Sequence, residues 1–68
     1  MARKGTELVD VKYTRIKIDS PRQQAVLFVV GGKDVWLPRS QIEVDPDARI
    51  VTMPVWLAEE KEIDGEVV

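Results

Sequence analysis

The 68-residue chain contains no cysteine and no histidine, and only four aromatic side chains: Tyr13, Phe28, Trp36 and Trp56. Without cysteine there is no disulfide framework and no thiolate zinc site. Without histidine as well, a Ser-His-Asp triad, a Cys–His pair and an imidazole metal site are excluded. Long apolar runs are missing too. The longest, Ala25 to Val30, has six residues, against the ~20 that a membrane-spanning helix requires. Arg3 and Lys4 precede no apolar stretch of the kind a secretion signal carries. These absences predict a single small cytoplasmic domain over residues 1–68, with no membrane association and no cofactor. A chain this short buries only about 60% of its unfolded surface, which leaves little room for a deep active site.

The acid–base groups that remain are carboxylates, lysines and Tyr13. Asp45 and Asp47 flank Pro46, a common turn setting for aspartate. Glu59, Glu60, Glu62 and Asp64 fan around a helix end. A hard-cation site of Asp45, Asp47 and one helix carboxylate would lack the spacing and glycine of a calcium loop. The expectation is a protein that is not an enzyme and holds no specific metal.

Charge is distributed unevenly. Residues 1–24 carry +3, residues 25–44 are neutral and residues 45–68 carry −5, for a net charge of −2. Such a split suits a basic face that meets an anion, pairing between the ends of the chain, or a solvated surface of mixed charge.

Periodicity predicts a mostly β chain. Val9, Val11 and Tyr13 share one face of a strand, whereas Ile16 and Ile18 fall on the other, so Glu7 to Asp19 reads as one strand bent or bulged near Thr14–Arg15. Ser20 to Gln23 is a turn, and Gln24 to Val30 is a strand with apolar residues on both faces. Gly31-Gly32 supplies the positive-φ pair that a tight hairpin needs. No Walker-type Lys-Ser/Thr and helix follow, as a phosphate loop would require. Lys33 to Leu37 returns, Pro38 ends it, Ser40 to Val44 is a turn plus strand, and Asp45-Pro46-Asp47 is a further turn. Arg49 to Met53 forms the last strand. Pro54 opens a helix over 54–63 with Gly65 as its stop, leaving a tail at 64–68, and residues 1–6 form a flexible arm. Five short strands followed by a short C-terminal helix predict a small, strongly bent five-stranded barrel.

Val35-Trp36-Leu37-Pro38-Arg39-Ser40-Gln41-Ile42-Glu43-Val44 is similar to the end of a Src-homology-3-like barrel, where an aliphatic-x-Pro strand end leads through a helical turn into a final Val-containing strand. Those domains bind Pro-rich peptides through an aromatic cluster on an early loop. Only Tyr13 stands in the corresponding early segment here, so peptide binding does not carry over. A broader likeness, running from Ala25-Val26-Leu27-Phe28 to Pro54-Val55-Trp56-Leu57-Ala58-Glu59-Glu60-Lys61, resembles small uncharacterised proteins of tailed phages and prophages. It implies a phage accessory protein and no particular chemistry.

Lys12, Arg15, Lys17 and Arg22 form a candidate basic strip for phosphates, or alternatively the lysine-rich protection of a sheet edge. Trp36, flanked by Lys33 and Arg39, is a candidate stacking platform, or alternatively packs beneath the helix near Trp56. Trp56 itself is expected in the core. The resulting expectation is a binding barrel that captures a nucleotide or single-stranded nucleic acid on Lys12, Arg15, Lys17, Arg22, Lys33, Trp36 and Arg39. The second is a protein-interaction module, such as an inhibitor of a host protein or an assembly factor, that acts through its apolar strand or acidic helix. Because Ala25 to Val30 is apolar on both faces, a homo-oligomer, dimeric or higher, is also expected.

Overall fold

The computed structural model describes residues 7–68; the arm expected over residues 1–6 lies outside them. Six strands form two three-stranded antiparallel sheets. The strands are β1 (Leu8–Lys12), β2 (Arg15–Ile18), β3 (Ala25–Val30), β4 (Lys33–Pro38), β5 (Glu43–Asp45) and β6 (Ile50–Pro54), followed by the helix α1 (Val55–Glu60). The first sheet has the order β1-β6-β5 and the second β2-β3-β4.

The single bent strand expected over Glu7 to Asp19 is two strands in different sheets. The reason is visible at one peptide: the Tyr13 N–H donates to the Arg49 carbonyl at 3.0 Å, and the Thr14 N–H to the Val29 carbonyl at 2.7 Å. Successive amides therefore bond to opposite sheets, and no continuous ladder can cross that point. The bend falls where the phase of the apolar residues changes, whereas the register irregularity lies further on, between Ile16 and Ile18. Among the described residues the strand count is six instead of five, and the two sheets are not joined into a closed barrel.

Gly31 and Gly32 adopt φ of 57° and 83°, the pattern of a type I′ turn, and set Val30 opposite Lys33. The turn after β5 is held by the Asp45 carboxylate, which accepts from the Asp47 and Ala48 amides. A single turn of 3-10 helix, Arg39–Gln41, links β4 to β5.

Pro54 closes β6, so α1 begins one residue later than the proline suggests. Its end is also earlier than expected. Glu62, not Gly65, takes the left-handed conformation at φ 60°. The Ile63 amide then donates to the Ala58 carbonyl and the Glu62 amide to the Glu59 carbonyl, the paired bonds of a Schellman motif. This turn buries Ile63 beneath the helix. The segment after it returns to the first sheet: Val67 pairs with Val11, and the Val68 amide donates to the Asp10 carbonyl.

The core lies between the sheets and under α1. It comprises Val11 and Tyr13, then Val26, Phe28 and Val30 of β3, Val35 and Leu37 of β4, Val51 and Met53 of β6, and Leu57, Ala58 and Ile63. Tyr13 meets Phe28 edge-on with ring centroids 5.0 Å apart, a favoured aromatic geometry. Trp56, expected in the core, is instead 40% exposed. A helix of six residues has one inward stripe, and Leu57 and Ala58 occupy it.

Candidate interaction face

The second sheet positions the most distinctive surface of the molecule. Strand geometry sends alternate side chains to opposite sides. Val26, Phe28 and Val30 of β3, with Val35 and Leu37 of β4, point into the core. Asp34 and Trp36 therefore stand on the outer side, as do Leu27 and Val29 of the central strand.

Ladder register arranges these residues in rows. Ile18 lies opposite Leu27, and Leu27 opposite Trp36; Arg15 lies opposite Val29, and Val29 opposite Asp34. Leu27 is 8% exposed although it does not belong to the core cluster. Its neighbours in the row shield it, and they remain open themselves, Ile18 at 40% and Trp36 at 41%. The helix does not cover this row, because it packs on β1 and β6. The double-sided apolar character of β3 is thus explained by a core on one side and a solvent-facing apolar stripe on the other.

The expected binding residues separate into two groups. Arg15, Lys17 and Trp36 belong to β2 and β4 of this sheet, with Lys17 Nζ 2.9 Å from Asp34 Oδ2 in an ion pair that spans β3. The other four do not stand on its outer face. Lys12 sits in the first sheet, opposite Ile50, at the edge of an open polar cleft of about 540 Å³. Lys33 shares the inward parity of Val35 and donates to the Glu62 carbonyl at 3.1 Å, so it braces the helix end. Arg39 clasps the β2–β3 loop: Nη2 donates to Asp19 Oδ1 at 2.6 Å and to the Ser20 carbonyl at 2.7 Å, and Nε to the Gln23 carbonyl at 2.9 Å. Arg22 is exposed within that loop. Among the described residues, Lys17, Lys33 and Arg39 have intramolecular carboxylate partners, and Arg15 has none.

Tyr13, beside the same cleft as Lys12, has its hydroxyl pKa pushed above 10.0, chiefly by burial; Arg49 opposes the shift and Asp45 adds to it. Among the described residues no other polar or charged side chain is buried, and no three acidic groups gather as a metal site would need. No helix there is long and apolar enough to cross a membrane.

Comparison with protein-family models, curated proteins and solved structures gives no match. The likenesses to Src-homology-3-like barrels and to phage proteins rest on the sequence strings quoted above.

Ile18, Leu27 and Asp34 were not singled out from the sequence as site residues. A signal for two of them was present. A two-residue Gly-Gly turn pairs Val30 with Lys33, and counting back places Leu27 beside Trp36 and Val29 beside Asp34.

Proposed function

We propose that this chain is a non-enzymatic interaction module that binds protein through the outer face of β2-β3-β4. The observation that carries the reading is the row Ile18–Leu27–Trp36, an apolar stripe on the open side of a sheet with its large aromatic half exposed. Aromatic side chains surrounded by polar residues are the usual anchors of protein contacts. The fold beneath it is read as a variant of the Src-homology-3-like pattern with its two sheets unjoined. Supporting this is the 3-10 turn at Arg39–Gln41 between β4 and β5, where the resemblance places a helical turn. In that pattern the strand after the turn is the last; here β6 follows and lies between β5 and β1.

Capture of single-stranded nucleic acid or a nucleotide is the second reading, favoured by the position of Arg15 and Lys17 on the same sheet as Trp36. Asp34 weighs against it, because it places a carboxylate on that face and already neutralises Lys17.

The test uses the Trp36→Glu chain together with its melting curve, because the half-exposed Trp36 also shields Leu27 and its removal costs some stability. Immobilised wild-type chain is expected to retain protein from an extract of its source cells, and Trp36→Glu to lose it. Equal retention by both chains would count against this face. Titration with labelled oligothymidylate decides the second reading: binding that weakens as salt rises, and that Arg15→Glu removes, would replace a protein partner with a polyanion.

A further inference from the structure

The outer face of β2-β3-β4 is complementary to itself, and we infer that its occupant is a second copy of this chain, stacked about a twofold axis parallel to β3. This inference rests on the reading of that face as a protein-contact surface. Each row runs from β2 to β4 and is asymmetric in the same sense. One row carries Arg15 at β2, Val29 at the centre and Asp34 at β4; the next carries the smaller Ile18, then Leu27, then the large Trp36. A twofold axis parallel to β3, lying midway between two stacked sheets, places β2 of each copy over β4 of the other and keeps every row at its own level. Arg15 then faces Asp34 of the second copy, Ile18 faces Trp36, and Leu27 faces Leu27.

Both kinds of complementarity are satisfied by the same operation. Arg15, without a carboxylate partner among the described residues, gains one. Asp34 keeps its bond to Lys17 and, with its side chain 53% exposed, retains oxygen lone pairs for a second donor. Sheets that stack face to face lie roughly 10 Å apart, a gap that Leu27, Ile18 and Trp36 side chains can fill. A polyanion would meet Asp34 on this surface, whereas a second copy supplies the matching cation. Three strands at ~4.8 Å spacing present only a few hundred Å² per copy, at the low end for specific contacts, so the dimer is expected to form in the micromolar to sub-millimolar range.

Sedimentation equilibrium from roughly 5 to 500 µM tests the inference. Wild-type chain is expected to shift from one-chain to two-chain mass across that range, and Trp36→Glu to remain at one. Arg15→Glu and Asp34→Arg, each alone, place like charges at both junctions and should weaken association on the order of tenfold. An equimolar mixture of Arg15→Glu and Asp34→Arg pairs opposite charges at both junctions and should recover wild-type association. Melting curves of the separate variants check that each remains folded. One-chain mass for wild type at every concentration would overturn self-pairing while leaving the protein-contact reading to the retention experiment. A dimer that survives Trp36→Glu unchanged would overturn self-pairing through this face. Dimerisation without recovery in the mixture would overturn the twofold geometry.

Discussion

Tyr13 stands where the backbone passes from one sheet to the other, with its ring packed against Phe28. Burial raises its hydroxyl pKa, so the folded chain holds this proton more tightly than the unfolded chain does. The associated stability is complete below the ordinary phenol pKa near 10 and is lost as pH rises from there through the folded-state value. Comparison with Tyr13→Phe isolates the contribution of the tyrosine. Wild type is expected to lose more of its urea midpoint than Tyr13→Phe between about pH 9 and about pH 11. An equal loss in both proteins would show that Tyr13 contributes nothing to alkaline sensitivity. Arg39 teaches a different lesson at this scale. Near Trp36 in sequence, it reads as a ligand-binding cation, yet its partners lie at Asp19, Ser20 and Gln23. Ion pairs between residues so distant in sequence leave no local pattern, which is why clasping and bracing cations could not be told from ligand-binding ones by composition.

The turns were the most legible elements, because their residues are selected by backbone conformation. Gly31-Gly32, Pro38 and Asp45-Pro46-Asp47 fall where the chain reverses or changes course. The end of α1 was not legible, because a glutamate occupies the left-handed position that glycine usually marks. Two substitutions with opposite effects follow from this contrast. Glu62→Gly removes the left-handed penalty of a residue with a Cβ and should stabilise the chain by about 1 kcal/mol, or several degrees of melting temperature. Gly32→Val imposes that penalty, in a β-branched residue, at a site where an added Cβ meets no other atom. It should cost about 1–2 kcal/mol through the backbone alone. Thermal melts of both variants check the pair. A destabilising Glu62→Gly would mean that its 3.8 Å approach to Lys33 outweighs the strain, against the usual small contribution of an exposed pair. Trp56 was misplaced for a related reason: helical periodicity locates a residue on a face, but a six-residue helix presents too narrow a stripe to bury it.

At the scale of the molecule, the mostly β character and the phase change near Thr14 were readable from residue alternation. The division into two sheets was not, since it depends on which distant amides Tyr13 and Thr14 meet. That division separates near from far along the chain. The second sheet is assembled entirely within residues 15–38, through connections that close small loops. In the first, β1 pairs with β6, and Val11 bridges to Val67. Its formation requires the two ends of the described chain to find one another, at a larger loop-closure entropy. This topology predicts an order of events in which the meander condenses first and the ends are sewn together last. Truncating a buried valine in each sheet exposes that order. Val35→Ala, in β4, should mainly slow refolding, whereas Val51→Ala, in β6, should mainly accelerate unfolding. Stopped-flow rates showing the reverse would place the nucleus at the seam between the chain ends, and the hairpin would then form only after the most distant contacts had closed.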